Sequence, residues 1–309
     1  MEHSENIWKK PLVVCLVAML CCLLWGSAFP SIKVGYQLFE IASDDTASQI
    51  LFAGVRFTLA GILTILIGSC LNRKLLVPQK SSLTMIFKLS LAQTVVQYFF
   101  FYIGLANTTG VKSSIINAAN VFLAILVSSL VFKMETLGIR KIGGCLIGFA
   151  GVVLINLNGG GLAGGMKLTG EGFILLSATS YAVSSALIKK YSQKENPVVL
   201  SGYQFTLGGM IMGVVGIIMG GELHGIAVKS ILLLVYMAMI SAVAYSLWGI
   251  LLKYNPVGKV SVFGFMNPVF GVILSALILG EQNQAFTLRG LISLVLVCIG
   301  IFIVNREKK

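Results

Sequence analysis

Two stretches of the chain repeat each other: they read RFTLAG at Arg56–Gly61 and QFTLGG at Gln204–Gly209, 148 residues apart. Asn120 and Asn267 are separated by nearly the same distance along the chain. Both copies lie in almost unbroken hydrophobic sequence, so the pattern predicts that one block of membrane helices was duplicated. Duplicated helical blocks that face a common centre are the construction of many secondary transporters.

The composition predicts an all-α polytopic membrane protein. Of the 309 residues, 57% are hydrophobic and 11% are charged, whereas a soluble domain carries about 25% charged residues. The first hydrophobic run is too long for a signal peptide, so we expect it to be a retained helix. Ten segments are long enough to cross the roughly 30 Å hydrocarbon layer as transmembrane helices. We place them at 12–33, 49–71, 86–107, 113–132, 140–157, 171–189, 198–219, 230–252, 259–279 and 287–304.

The distribution of Lys and Arg predicts the orientation. If the N-terminus is cytoplasmic, sixteen of the 23 Lys and Arg lie in cytoplasmic segments and five lie on the other side. This positive-inside bias places both termini of a multi-pass membrane protein in the cytoplasm. The net charge of +12 is then explained by insertion and by anionic lipid, and it does not indicate a nucleic-acid partner.

Five helices per copy is an odd number, so the second copy must enter the membrane from the opposite face. We therefore expect two inverted five-helix repeats, 1–157 and 170–309, related by a pseudo-two-fold axis in the membrane plane. Residues 158–169 contain the run GGGLAGG at Gly159–Gly165, which favours a flexible linker. Because this run lacks the Lys-Ser/Thr ending of a phosphate loop, we expect no nucleotide there.

Polar and aromatic side chains inside the spans mark the candidate site, because each is costly against lipid and usually faces the bundle interior. We expect a central substrate cavity whose amides and hydroxyls orient a solute and whose rings hold its apolar or cationic part. Alternatively, the amides and hydroxyls only join helices, and the rings lie in interfacial belts. The candidate lining residues are Trp25, Ser27, Gln93, Gln97, Tyr98, Tyr102, Asn117, Asn120, Tyr181, Ser184, Ser241, Tyr245, Trp248 and Asn267.

Arg56 is a charge that lies well inside a predicted span. A functional role would be an anchor for a substrate carboxylate or a gate. A structural role would be snorkelling outward or pairing with Glu40, Asp44 or Asp45 in the first external loop. The equivalent residue of the second copy is the neutral Gln204, which favours the structural role.

Two prolines, Pro30 and Pro268, interrupt predicted helices and are candidate hinges, although a static helix can also tolerate a proline. No Asp or Glu lies in the middle of a predicted span, which disfavours a proton relay through a buried carboxylate. The six cysteines show no CxxC spacing and the two histidines lie outside the helix cores. We therefore expect no metal and no cofactor.

The motifs resemble those of the drug/metabolite transporter superfamily, specifically its EamA-like members. The stretches that carry the resemblance are WGSAFPSIK at Trp25–Lys33, QYFFFYIGLANTTGVKSSII at Gln97–Ile116 and NPVFGVILSALILGE at Asn267–Glu281. The resemblance implies a ten-helix, inverted-repeat carrier of the bacterial plasma membrane that exports or exchanges small metabolites through a central cavity. The chain departs from the pattern in the first copy, where no proline follows Asn120 as Pro268 follows Asn267, so the resemblance does not imply equal hinging.

The leading hypothesis is a secondary transporter that works by alternating access and exports small amphipathic metabolites, represented by amino acids or their derivatives. A passive, channel-like facilitator on the same scaffold and an exporter of cationic drugs are the alternatives. A lipid-modifying enzyme would need a cluster such as DxxxD or HExxH, which the spans lack, so we expect no enzyme. The expected partners are the small-molecule substrate and membrane lipid, with a homodimer left open.

Overall fold

In the part of the chain that the structure describes, we number ten apolar helical segments α1 to α10. The computed structural model describes residues 7–134, 136–156, 166–255, 260 and 262–305, and these ranges contain no β-strand. The helices are α1 Pro11–Leu38, α2 Thr46–Asn72, α3 Lys80–Ala106, α4 Gly110–Val131, α5 Ile139–Asn156, α6 Leu168–Tyr191, α7 Pro197–Ile218, α8 Val228–Tyr254, α9 Phe263–Leu279 and α10 Leu288–Asn305. A short helical turn, Gln282–Ala285, joins the last two.

Eight of these helices are long and apolar enough to cross a membrane, namely α1 to α4, α6 to α8 and α10. The exceptions among the described residues are α5, with 18 residues, and the shorter α9. Length and composition therefore support eight of the ten predicted spans. Large apolar side chains such as Leu12, Ile218 and Leu288 are exposed on the helix surfaces, as expected for a protein that faces lipid.

Several predicted helix bounds differ from the structure. α1 continues five residues beyond the predicted end at 33 because the chain after Lys33 still buries Gly35 and Tyr36. α1 also passes through Pro30 without a break, so the predicted interruption there is absent. Pro268 lies in the first turn of the regular α-helical part of α9, which begins at Met266, where a missing backbone N–H breaks no helical bond.

The predicted linker is only partly described. Residues 158–165 lie outside the described residues, and α6 begins at Leu168, two residues before the predicted start of the second repeat. Glu171 fixes this start, since its carboxylate accepts hydrogen bonds from the Lys167 backbone N–H at 2.9 Å and the Thr108 hydroxyl at 2.7 Å. The first turn of α6 is therefore tied to the start of α4.

The repeated motif packs against itself where α2 and α7 run antiparallel. A Cβ atom on Gly61 would lie 2.3 Å from the Thr206 backbone nitrogen, and one on Gly209 would lie 2.3 Å from the Thr58 backbone nitrogen. Thr58 and Thr206 hold the same position in the two copies, as do Gly61 and Gly209. Each close contact therefore has a counterpart made by the other copy, and only glycine fits at these two positions.

A similar antiparallel contact joins α5 and α10. A Cβ on Gly151 would lie 2.6 Å from the Ser293 carbonyl oxygen, and a Cβ on Gly300 would lie 2.8 Å from the Gly144 carbonyl oxygen. Between these two tight pairs, α1 packs on α8 and α9, while α6 packs on α3 and α4. These six helices surround the centre and carry every residue that the sequence places in the cavity.

The two ends of the bundle are packed differently. We call the end with residues 39–45, 107–109 and 280–287 the loop-39 face, and the end with residues 73–79 and 192–196 the loop-73 face. One large buried cluster contains Phe29, Tyr36, Phe52 and Tyr102 towards the loop-39 face, and it extends along α5 and α10 to Cys145 and Val304 near the loop-73 face. Towards the loop-73 face there are two smaller clusters. One is Val14, Ala18, Leu251 and Val260, and the other is Ile86, Leu89, Tyr191 and Leu200.

Candidate functional site

Aromatic rings from three helices meet at the middle of the bundle. The ring centroid of Trp25 in α1 lies 5.5 Å from that of Tyr245 and 5.1 Å from that of Trp248, both in α8 and both in edge-on contact. The hydroxyl of Tyr98 in α3 lies 3.4 Å from the Tyr245 hydroxyl. All four side chains are only half-buried. Rings that remain accessible in mid-bundle are what the wall of an interior space requires.

Two further rings complete this group, and both come from the repeated motif. Phe57 lies 4.0 Å from Tyr98, Phe205 lies 5.1 Å from Tyr245, and the two phenylalanine centroids are 5.5 Å apart. Neither phenylalanine was among the predicted lining residues, although both occupy the second position of the repeated motif. We call Trp25, Phe57, Tyr98, Phe205, Tyr245 and Trp248 the central cluster.

Three predicted site residues present buried polar atoms without a partner in the described part of the chain. These atoms are the indole nitrogen of Trp25, the amide oxygen of Gln97 and the amide oxygen of Asn267. Leaving a buried donor or acceptor unpaired costs about 1–3 kcal/mol. These unpaired atoms, one donor and two acceptors, lie on three different helices.

The predicted residues on the other side of the bundle are also half-buried. They are Asn117 and Asn120 in α4 and Tyr181 in α6. Tyr181 lies close enough to Tyr98 and Tyr245 to interact with them electrostatically. The phenolic rings of α3, α6 and α8 therefore share one region of the interior.

Arg56 reaches the interior and forms polar contacts with two neighbouring helices. Its Nη1 donates to the Tyr102 hydroxyl at 2.6 Å, its Nε donates to the Met237 carbonyl at 3.2 Å, and its Nη2 donates to the Ser241 hydroxyl at 3.4 Å. The guanidinium carbon lies 4.9 Å from the centroid of the Phe57 ring. The residue is 3% exposed, so it does not snorkel to the surface.

Among the residues that the structure describes, no carboxylate oxygen lies within 4.0 Å of the guanidinium of Arg56. Asp45, one of its predicted partners, instead accepts a hydrogen bond from the Ser48 backbone N–H and caps α2. Since arginine stays protonated in proteins, the interior next to Phe57 carries a positive charge.

The other predicted residues join helices or bond within one. Ser27 donates to the Leu24 carbonyl at 2.8 Å and lies 2.7 Å from the Tyr236 hydroxyl. Ser184 donates to the Tyr181 carbonyl in its own helix at 2.9 Å. These contacts match the alternative in which polar side chains only connect helices.

Gln93 lies in a wide π-helical turn of α3, Ser90–Val96, which the sequence did not indicate. Its amide oxygen accepts a hydrogen bond from the Gln204 amide. The hydroxyls of Ser90 and Thr94 donate to the Gln204 backbone carbonyl at 3.2 and 3.4 Å. This turn therefore fastens α3 to α7. Wide turns of this kind often occur at functional sites.

The site has no metal-binding character in the described ranges, where no group of three or more His, Cys, Asp or Glu side chains could hold an ion.

Fold and site together define a multi-pass helical membrane protein with an aromatic and amide-lined centre. The model of the EamA-like transporter family matches residues 12–157 and again residues 168–306. The chain belongs to this family, and the resemblance inferred from its motifs is confirmed.

Relatives of the chain are named as transporters. An uncharacterized transporter of Archaeoglobus fulgidus is 26% identical over 307 residues, which cover 95% of this chain and 99% of the relative. A protein of Salmonella typhimurium named "Probable amino-acid metabolite efflux pump" is 26% identical and covers 93% of each chain. A chloroplastic WAT1-related protein of Arabidopsis thaliana is 27% identical over 65% of this chain, which spans 50% of that protein.

A solved crystal structure shares the fold. It aligns with a TM-score of 0.63 over 94% of this chain and 95% of its own, at 18% identity. At that level of identity the likeness concerns the fold alone.

Proposed function

We propose that the protein exports small amphipathic metabolites, represented by amino acids and their derivatives, across the plasma membrane by alternating access. The observation that carries the proposal is the central cluster, four of whose six rings are half-buried, together with the unpartnered polar atoms of Trp25, Gln97 and Asn267. Aromatic faces bind apolar groups and ammonium groups. The free donor and acceptors bind the polar end of the same solute, so the cluster suits a molecule that has both characters.

The membrane arrangement we propose is ten spans in two inverted repeats, with both termini in the cytoplasm. Two observations support it: the family model matches the chain twice, and the contacts of Gly61 and Gly209 have counterparts in the opposite copy. α5 and α9 would be the two shortest spans. At 1.5 Å per residue, 17 to 18 residues give about 26 Å, close to the thickness of the hydrocarbon layer.

The difference between the two faces supports alternating access over a passive channel. Tyr36, Phe52 and Tyr102 are at most 6% exposed and close the path towards the loop-39 face, which the proposed orientation places outside. Near the loop-73 face two small buried clusters are separate from the large one, which reaches this end along α5 and α10. A carrier that admits solute from the cytoplasm has this asymmetry, whereas an open channel does not need it.

Arg56 favours a solute with a carboxylate over a cationic drug. Two of its five N–H donors are not used by the bonds to Tyr102, Met237 and Ser241. A cation at about 8 Å from the guanidinium would be repelled by about 2 kcal/mol at an effective dielectric constant of about 20. An amino acid can direct its carboxylate towards Arg56 and its ammonium towards the rings of Trp25 and Tyr245.

The direction and the solute class are supported by the Salmonella relative, whose name refers to efflux of amino-acid metabolites. Counterflow in proteoliposomes tests the proposal. Vesicles are loaded with unlabelled amino acids, and uptake of trace labelled ones is followed. We expect transient accumulation above equilibrium. Flux without this overshoot would indicate a channel, and accumulation of cationic dyes alone would indicate the drug exporter.

A further inference from the structure

A polar cavity that is separate from the central cluster opens on the loop-39 face, between the ends of α1, α3 and α9. It has a volume of about 340 Å³, and its walls include Lys33, Tyr36, Gln37, Ile41, Leu279 and Glu281. It therefore combines one basic group, one acidic group, one amide and two apolar side chains. None of these residues belongs to the central cluster.

The two charges of this cavity are held apart. Glu281 is fixed because its carboxylate accepts hydrogen bonds from the backbone N–H groups of Gly110 at 3.0 Å and Val111 at 2.8 Å. Lys33 is half-buried and interacts electrostatically with Glu281. In the described part of the chain, however, its ammonium has no hydrogen-bond acceptor within 3.5 Å and no carboxylate oxygen within 4.0 Å.

We propose that this cavity binds a zwitterion of the amino-acid type that has an apolar side chain. The carboxylate of the ligand pairs with Lys33, and its ammonium pairs with the free lone pairs of Glu281. The side chain packs against Ile41 and Leu279. In an ordinary surface ion pair the two charged groups contact each other. Here Lys33 and Glu281 are separated, so both can bind a ligand that carries the two complementary charges.

The cavity lies one aromatic layer away from the central cluster. Tyr36 forms part of its wall and donates a hydrogen bond to the Tyr102 carbonyl at 2.8 Å. The Tyr102 hydroxyl in turn accepts the bond from Arg56. The cavity is thus an outer binding site on the path of the solute. Its role in transport rests on the proposed function, whereas the assignment of its ligand does not.

Equilibrium dialysis of labelled L-leucine against the purified protein in lipid nanodiscs tests this site without transport. We expect Lys33→Gln to weaken one class of leucine binding about tenfold or more, the usual effect of losing a charge-assisted hydrogen bond. Lys33→Arg should retain most of that binding. Lys229→Gln, which removes an exposed charge at the start of α8 on the same face, is the matched control and should leave binding unchanged.

Two analogues of leucine test the requirement for both charges. Isoamylamine lacks the carboxylate and isocaproate lacks the ammonium, so each should displace leucine from the Lys33-dependent site about tenfold less well than leucine does. Displacement by either analogue as effective as that by leucine would overturn the assignment. Equal leucine binding by the wild type and Lys33→Gln, or no leucine binding at all, would overturn it too.

The Trp25→Ala variant separates this inference from the proposed function. If the central site does not bind solute, Trp25→Ala leaves leucine binding unchanged and counterflow fails, while the Lys33-dependent binding persists. If the outer site is wrong, Lys33→Gln leaves binding unchanged while counterflow still shows its overshoot.

Discussion

The two copies of the repeated motif make the same aromatic contact but different polar contacts. In the first copy Phe57 packs on Tyr98, and in the second copy Phe205 packs on Tyr245. Tyr98 and Tyr245 are 147 residues apart, close to the offset of the motif itself. The duplication therefore accounts for a pair of matching aromatic walls.

The residue that precedes each phenylalanine breaks the match. Arg56 extends to Tyr102 in α3 and Ser241 in α8, whereas Gln204 forms an amide pair with Gln93. One copy therefore places a charge beside the central cluster. The other copy instead forms a hydrogen bond between two neutral side-chain amides of neighbouring helices. We infer that the rings shared by both copies form the wall of the binding site. The single arginine then determines which solute charge this site accepts.

The largest effect is expected when this difference is removed. Arg56→Gln should lower the counterflow rate of leucine by about a hundredfold, since it removes a charge-assisted contact and the field that favours the carboxylate. The ratio of leucine flux to isoamylamine flux should fall as well. Arg56→Lys, which keeps the charge, is the control. An unchanged flux ratio in Arg56→Gln would contradict the electrostatic role, and gel filtration would establish that the variant is folded.

The tight contact between the two copies predicts the next effect, on stability. Gly209→Ala places a Cβ 2.3 Å from the Thr58 backbone nitrogen, and overpacking of this kind costs about 1–3 kcal/mol. Gly213→Ala in the same helix is the control, because nothing lies within 4 Å of its added Cβ. Thermal unfolding in detergent should show a lower Tm for Gly209→Ala alone. Equal Tm values would mean that α2 and α7 are not so closely packed.

Truncation inside the central cluster should have a smaller effect on transport. Trp25→Ala removes the ring that contacts Tyr245 and Trp248, and we expect about tenfold slower counterflow, in the range of a lost aromatic contact. The control is Phe302→Ala in α10, a ring that is 46% exposed on the helix surface. If both variants transported leucine equally well, the central cluster would not line the path.

The smallest effect concerns the symmetric hydroxyls. Tyr98→Phe and Tyr245→Phe each remove one partner of the 3.4 Å contact between the two phenols. Both variants should slow counterflow by about twofold to threefold, because a long hydrogen bond contributes little. We expect the two effects to be similar, since the residues are repeat equivalents. A large loss in one variant alone would show that the copies have diverged in the aromatic wall too.

The membrane class and the family could be predicted from the sequence, and so could four of the six rings that meet in the central cluster, namely Trp25, Tyr98, Tyr245 and Trp248. That these residues line a substrate path stays a prediction. Hydropathy and the repeat of Arg56–Gly61 at Gln204–Gly209 are encoded locally, so they can be recognised without the fold. The contacts of Arg56 could not be predicted, because its bonds to Tyr102 and Ser241 depend on how three helices meet. The continuous course of α1 through Pro30 is also a result of packing, since that proline is buried within the helix.

The outer cavity was missed for a related reason. Lys33 and Glu281 are 248 residues apart in the chain, and in the sequence each marks the end of a separate motif. Their proximity follows from the packing of α1 against α9. Phe57 and Phe205, by contrast, could have been predicted as part of the central cluster, because they hold the same position in the two copies of the motif.

The central claim is that a shared aromatic cluster with one positive charge carries amphipathic solutes that have a carboxylate. The most direct test is counterflow by the wild-type protein with labelled leucine and labelled isoamylamine, compared at equal concentrations. The claim predicts an overshoot for leucine and an initial rate at least about tenfold above that of isoamylamine. Equal or faster transport of isoamylamine would contradict it.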